Sequence, residues 1–445
     1  LAVIDIGYAI SDDKFMDALN EKTVILIDQG LFPGVNSYLR EKGKSMPLEM
    51  LPYKPELTLA PINVNRAFFL SDKRETIEHL ISRGFMGLYI PIGQGLTSMG
   101  DLHPEAIIFH HLEEALRWII EHPLGRETFL QDLHRAAEII REGGLVAFPT
   151  ETVYGLGADA LNVHAVTRIF EAKGRPLHDP LIVHVSGIEE AEKLSAFFSP
   201  LARKLVEKFW PGPLTIVVPK APIVPDLVTS GLPTVAIRMP ANPWARKLIS
   251  LSGTPIAAPS ANAFGRTSPT CAEHVREQLE GRYDFLIDGG ACRVGVESTV
   301  LSLLDNRPVI LRPGGVTQEE IEATIGRVEV LTLATKKEGP NRSPGLLASH
   351  YAPRTPLTLV SDLSAFSEMK DVGFLTLQKP DIKVAGPLIA LSPKGDLEEA
   401  AANLYRAMRE LDQMNLKLIV AQEVPNVGLG AAINDRLKRA ARKAK

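Results

Sequence analysis

The alternation of apolar and polar positions changes character along the chain. In the first part, short apolar runs at residues 23–27, 67–70, 87–90 and 106–109 predict buried strands. Residues 73–82 and 112–120 carry apolar positions at helical spacing. Together they predict an N-terminal α/β domain over residues 1–125. From Arg126 onward the strands are shorter and more numerous. Residues 129–141 predict an amphipathic helix stopped by Gly143-Gly144. Strands are predicted at 145–148, 181–185, 214–218, 235–237, 255–258, 285–287, 299–303 and 309–311, with helices at 162–172, 189–197 and 201–209. Many short strands among few helices predict an α/β fold with a mixed, open twisted sheet and flanking helices, rather than a doubly wound one. Residues 334–342 have no apolar periodicity and read as linker. Beyond them, strands at 357–360, 372–377 and 416–421 with helices at 397–414 and 431–444 predict a small C-terminal α/β domain. The predicted organisation is therefore 1–125, 126–333, a linker over 334–356, and 357–445.

Composition narrows this picture only slightly. The 445 residues fit about three domains, and a formal charge of -4 argues against a protein that coats nucleic acid electrostatically. Cys271 and Cys292 are too few for a disulfide framework or a four-thiolate zinc site; they read as packed thiols in a reducing compartment. No apolar run reaches the roughly 18 residues of a membrane span, and the first residues carry no basic flank followed by an apolar core, so the expectation is a cytoplasmic protein without membrane contact. The adjacent His110-His111 would point to opposite faces of a strand, which suits surface or packed histidines better than metal ligands.

Candidate chemistry concentrates after the strand at 145–148. Pro149 to Gly157 is a polar stretch in which Gly155 and Gly157 would let backbone approach something bound. The helix at 162–172 delivers Lys173 and Arg175 to its C-terminus, where cations are favoured and can face an anion. A polar cradle with two fixed positive charges suggests a phosphate-bearing substrate. After the linker, Ser343-Pro344-Gly345 and His350-Tyr351-Ala352-Pro353 are too specific for a spacer, and a tyrosine fixed there could cover a bound ring. The basic run at the C-terminus reads first as a solvated helix end, with weak RNA binding as the lesser reading.

Taken in order, Thr150-Glu151-Thr152-Val153-Tyr154-Gly155-Leu156, Lys173-Gly174-Arg175-Pro176, Pro211-Gly212-Pro213-Leu214-Thr215, Ile237-Arg238-Met239-Pro240, Ser260-Ala261-Asn262, Ser268-Pro269-Thr270, Glu297-Ser298-Thr299 and Arg312-Pro313-Gly314 resemble the YrdC/Sua5 family. His350-Tyr351-Ala352-Pro353 and the segment from Gly428-Leu429-Gly430 to Arg436-Leu437 resemble its longer, two-domain Sua5 form, whose C-terminal domain is Rossmann-like. The resemblance covers about residues 126–445. It implies a YrdC-like catalytic domain and synthesis of threonylcarbamoyl adenylate from L-threonine, bicarbonate and ATP with release of pyrophosphate. The product would serve N6-threonylcarbamoyl-adenosine formation at position 37 of tRNA, reached indirectly through a threonylcarbamoyl-transferase complex.

By motif position, the resemblance implies catalytic roles for Lys173, Arg175, Ser260 and Asn262. It implies ATP contacts at Arg175, Asp179, Thr234, Ser260, Ser268, Arg312 and Tyr351, with Mg²⁺ carried by ATP and not by protein side chains, and no organic cofactor. The implied threonine contacts are Thr152, His184, Arg238, Ala258 by its backbone, and Ser298. Tyr351, carried on the linker, is the candidate lid. Asp179 departs from the family's usual asparagine before Pro180-Leu181, and would repel phosphates unless Lys173 or Arg175 neutralises it. Two other classes stay open: an RNA-binding module of the same fold without catalysis, and a carbamoyl transferase, although the zinc-finger cysteines of that relative are missing. Residues 68–73 with Ile77 and Gly84 faintly resemble haloacid-dehalogenase-like phosphatases. Those enzymes need an Asp-x-Asp motif, and Asp28-Gln29-Gly30 supplies one carboxylate, so a degenerate docking domain is expected there.

Overall fold

The computed structural model describes residues 2–5, 24–27, 67–71, 81, 86–89, 106–109, 118, 126–304, 307–331 and 350–442. It divides into two compact units, Leu1–Arg135 with Asp288–Ala291, and Ala136–Ile287 with Cys292–Lys445. In the first unit, β1 (Ala2–Asp5), β2 (Val24–Ile27), β3 (Ala67–Ser71), β4 (Met86–Tyr89) and β5 (Ile107–Ile108) form a parallel sheet in chain order. Four of these strands fall where the apolar runs predict them; β1 is additional. Trp118 is buried against Phe129, with ring centroids 5.8 Å apart, and its indole N–H donates to the Asp288 carbonyl at 2.6 Å. Asp28-Gln29-Gly30, His110-His111 and most of the two predicted helices lie outside the described residues.

The second unit is built on a ten-stranded mixed sheet. Its strands are β6 (Val146–Phe148), β7 (Gly155–Asp159), β8 (Ile182–His184), β9 (Leu214–Pro219), β10 (Thr234–Arg238), β11 (Ile256–Ala257), β12 (Phe285–Leu286), β13 (Thr299–Ser302), β14 (Val309–Arg312) and β15 (Glu329–Val330). They lie in the order β12-β6-β7-β11-β8-β10-β9-β13-β14-β15. The pairing is parallel between β8 and β10 and between β9 and β13, and antiparallel between β9 and β10 and around β11. A mixed twisted sheet with flanking helices is therefore what the chain forms.

Local chemistry explains the elements that deliver the site. In helix Val163–Lys173 the Asn162 side chain accepts from the His164 and Ala165 N–H groups, and Gly174 ends the helix at φ 62°. Its inner face buries Ala165, Val166, Ile169 and Phe170 in the main core. The turn at Gly174 then sends Arg175 back towards the sheet.

The C-terminal part carries a four-stranded parallel sheet of β16 (Leu357–Val360), β17 (Val372–Thr376), β18 (Leu388–Ala390) and β19 (Leu418–Gln422), ordered β16-β19-β17-β18. Helices Leu397–Gln413 and Gly430–Ala440 pack with it. Val153 and Val296 of the ten-stranded part lie in the same buried cluster as Tyr351, Leu404, Tyr405 and Ile433, so this cluster joins the two parts beside the separate core of the ten-stranded sheet. Most of the predicted linker, residues 334–349, lies outside the described residues.

Candidate active site

An open cleft lies on the ten-stranded sheet, whose strands carry a polar and an apolar cross-strand row of side chains there. Register sets these rows. Arg238 on β10 stands beside His184 on β8 and Thr215 on β9, and one pair further along Ala236 stands beside Ile182 and Val217. Successive residues on a strand alternate faces, so His184 and Ile182 look the same way, as do Arg238 and Ala236. Ile182 and His184 both line the cleft.

Nine of the residues singled out by motif line this one cleft: Thr152, Arg175, His184, Arg238, Ala258, Ser260, Ser298, Arg312 and Tyr351. At one end Arg238 is buried and firmly held. It donates to Glu151 Oε1 at 2.6 Å, Thr152 Oγ1 at 2.9 Å and the Gly212 carbonyl at 3.4 Å, which fixes its guanidinium plane. The Thr152 hydroxyl lies 2.8 Å from that of Thr150, so the threonine-rich turn is itself hydrogen-bonded. Burial, and then the charge of Arg238, push His184 down to about 3, so it is a neutral imidazole at physiological pH. Ser298 is shared: its hydroxyl lies 2.8 Å from the Thr215 hydroxyl, and its carbonyl accepts from Arg312 Nη2 at 2.8 Å.

At the other end Arg175 donates to the carbonyls of Asp179 and Pro180 at 3.0 and 2.8 Å, and pairs with the Asp179 carboxylate at 2.8 Å. That carboxylate is fully buried; burial raises its pKa, and the charge of Arg175 is the main influence opposing the rise. The aspartate that departs from the family pattern is thus matched by the arginine four residues before it. Tyr351 is buried in the cleft wall with φ 64°, its ring centroid 4.2 Å from that of His350 and 6.0 Å from that of Tyr405. The Ala352 N–H donates to the Gly265 carbonyl, pinning this segment to the catalytic part.

Five assigned residues do not line the cleft. Lys173 is buried behind it, donating from Nζ to the Ser260 carbonyl at 2.5 Å and to the Asn262 carbonyl. Burial, followed by repulsion from Arg175, holds its pKa well below the usual lysine range. Lys173 therefore braces the Ser260–Asn262 loop, and Arg175 is the member of the Lys-x-Arg pair that faces the cleft. Asn262 is buried, with Nδ2 donating to the Ala263 and Arg266 carbonyls. Ser268 donates to Glu297 at 2.6 Å and stands one residue behind the lining. Thr234 opens β10, where the register that sets Ala236 beside Ile182 carries it towards Pro180 and the Arg175 end. Asp179 is reached through Arg175.

Gly157 corrects a sequence expectation. It lies inside β7, where an added Cβ would meet Phe148 at 2.6 Å and Ile256 at 2.7 Å, so its small size serves strand packing and not the approach of a ligand. Gly155 does line the cleft. Two residues that carry the site have no role assigned by motif. Glu151 orients Arg238. Glu297 accepts from Ser268, from the Tyr405 hydroxyl at 2.9 Å and from Arg436 at 2.6 Å. Burial alone would raise the Glu297 carboxyl, but the charges of Arg436 and Arg312 hold it down at about 2. Both glutamates sit inside quoted motifs, next to threonine or serine, and that adjacency was the available signal.

Comparison with known proteins agrees with the motifs. Residues 138–314 match a family described as telomere recombination, the Sua5/YciO/YrdC domain, and residues 316–442 match the C-terminal domain of threonylcarbamoyl-AMP synthase. The chain is 46% identical to the threonylcarbamoyl-AMP synthase of Pyrococcus abyssi over 68% of its own length and 92% of the relative's. It is 44% identical to that of Bacillus subtilis over 73% of its own length and 97% of the relative's. The crystal structure of P. abyssi Sua5 complexed with L-threonine superposes with a TM-score of 0.65 at 45% identity, covering 69% of this chain and 94% of that one. With both domains matched in order and the cleft formed by its motifs, the chain belongs to the Sua5/YrdC family, in the two-domain Sua5 form.

Proposed function

We propose that this protein is a threonylcarbamoyl-AMP synthase, a nucleotidyltransferase that joins L-threonine, bicarbonate and ATP. The observation that carries the reading is the convergence of Arg175, Arg238 and Arg312 with Thr152, His184, Ser298 and Tyr351 around one cleft. The reaction brings a carboxylate, a carbamate and a triphosphate together, and fixed guanidinium groups offset their repulsion without reorganising during the reaction.

In the first step the threonine amine attacks the carbon of bicarbonate and water leaves, giving an N-carboxylate. In the second, that carboxylate oxygen attacks the α-phosphorus of ATP and pyrophosphate departs. A nucleophile that is already anionic needs no general base in the second step, so the residues act by positioning and by charge. Arg238, oriented by Glu151, receives the amino-acid carboxylate, while the neutral His184 and the hydroxyls of Thr152 and Ser298 offer partners to the amine and hydroxyl. Arg175 and Arg312 face the phosphates, and Tyr351 closes the nucleotide end against water, which protects the labile carbamate.

The carboxylates around the cleft are each engaged by an arginine: Glu151 by Arg238, Glu297 by Arg436 and Asp179 by Arg175. That donor set does not fit a protein-held cation, and we place Mg²⁺ on the phosphates of ATP, where it supplies charge neutralisation. The adenylate would pass to a separate complex that modifies tRNA.

Pyrophosphate release that requires both threonine and bicarbonate tests the reading. Arg238→Lys should lower kcat/KM for threonine about 30-fold, the equivalent of about 2 kcal/mol for a lost charged hydrogen bond, because lysine cannot offer a forked pair of donors. Release that proceeds equally without threonine or bicarbonate would exclude the proposal.

A further inference from the structure

The C-terminal helix Gly430–Ala440 sends Arg436 into the molecule, where its side chain is wholly buried. Its Nε donates to Glu297 Oε2 at 2.6 Å, and its Nη1 to the Pro313 carbonyl at 2.9 Å and to Asp435 at 2.8 Å. The guanidinium carbon lies 5.2 Å from the centroid of the Tyr351 ring. Glu297 precedes Ser298, Pro313 follows Arg312, and Tyr351 itself lines the cleft. One side chain of the C-terminal part therefore touches the three segments that present these three cleft residues. Tyr405, from helix Leu397–Gln413, adds its hydroxyl to the same carboxylate. The Glu297 and Pro313 segments are further locked by Gly314, where a Cβ would collide with the backbone of Glu297, Ser298 and Thr299.

A buried ion pair is a weak source of stability compared with an apolar replacement of the same volume, so stability alone does not account for this arrangement. We propose that Arg436 is a positioning residue for the nucleotide end of the cleft, holding the turn behind Arg312 and the Tyr351 ring in one geometry, with Glu297 as its anchor and the Ser298 carbonyl, which accepts from Arg312, following that anchor by its backbone. Tyr405 supports it through Glu297. The inference rests on the reading of that end as the ATP site.

The experiment compares wild type with Arg436→Lys, Tyr405→Phe and Tyr351→Ala, and with Arg436→Lys combined with Tyr351→Ala. Affinity for a non-hydrolysable ATP analogue, KM for ATP and for threonine, kcat and thermal midpoint are measured for each. Arg436→Lys should weaken the analogue and raise the ATP KM roughly tenfold, the size of one charged hydrogen bond, while the threonine KM moves less than about threefold. Tyr405→Phe, which keeps the ring, should shift the ATP KM about threefold in the same direction and leave the thermal midpoint near wild type. In the Tyr351→Ala background the Arg436→Lys effect on ATP should shrink, because both changes act on one contact.

Equal weakening for ATP and threonine, or full additivity with Tyr351→Ala, would overturn the positioning role. If Arg436→Lys does not fold, Tyr405→Phe decides, and an unchanged ATP KM there overturns the proposal. A wild type that binds the analogue but shows no threonine-dependent turnover would count against the proposed reaction. The ratio of analogue affinities would still decide the role of Arg436.

Discussion

At the scale of single residues, the cleft is a set of charges held in place by other charges and by burial. Two histidines show the cost of that design. His184 and His350 are both pushed from 6.5 down to about 3, in each case first by burial and then by a facing arginine, Arg238 for His184 and Arg175 for His350. The folded-state value is depressed, so the folded protein resists a proton that the unfolded chain accepts. Their contribution to stability is complete above pH 6.5 and is lost as pH falls from 6.5 towards 3. At pH 5 each should cost about 2 kcal/mol. Glu297 acts in the same direction but only below about 4.5, since its folded value is about 2. The urea midpoint should therefore fall steeply between pH 7.5 and 5.0, and His184→Gln and His350→Gln should each remove about half of that fall. A midpoint that is flat over this range would show that the imidazoles are not buried as neutral rings.

At the scale of elements, strand ends were the most legible features. The apolar runs located most strands of the mixed sheet, and because polar residues follow them, Arg238, His184, Arg312 and Ser260 stand out as candidates in the sequence itself. Strand Gly155–Asp159 does not read as a strand because its glycines suggest a loop; in the fold, Phe148 and Ile256 fill the space that side chains would occupy. Helix Pro243–Ser252 is absent from the elements that the apolar pattern predicts, although Asn242 caps it and Gly253 ends it. Ion pairs that join distant segments left no periodic trace: Arg436 and Glu297 are 139 residues apart. The same holds for Gly295, which has φ 73° and approaches helix Leu397–Gln413 so closely that a Cβ would collide with the backbone of Ala401 and Ala402. Gly295→Ala should destabilise the protein by about 2–4 kcal/mol, combining left-handed backbone strain with overpacking against a rigid helix. Because Val296 and Glu297 follow directly, it should also weaken ATP binding, whereas Gly281→Ala, at φ 74° with open space around it, should show only the backbone part. Equal losses from the two substitutions, read as urea midpoints, would argue against a tight helix contact.

At the scale of the whole molecule, the linker pattern predicts a catalytic domain and a C-terminal domain joined by residues 334–356, with Tyr351 as a lid carried on that linker. The packing argues for a closer union. Val153, from the threonine-rich turn, and Val296, beside the cleft, are buried in one cluster with Leu404, Met408, Ile419 and Ile433, and Tyr351 belongs to that same cluster. Parts that bury residues of both in one common cluster open together, since separating them exposes that shared surface and strands Glu297 without Arg436. Segment-resolved hydrogen exchange in the full chain should therefore give strand Leu214–Pro219 and helix Leu397–Gln413 the same opening free energy and the same dependence on denaturant. Removing the residues after 331 should then lower the stability of the ten-stranded part together with its activity. If the helix instead opened several kcal/mol before the strand, and the shortened protein kept the wild-type midpoint, the common cluster would be a mere contact, and Tyr351 would be free to work as an independent cover.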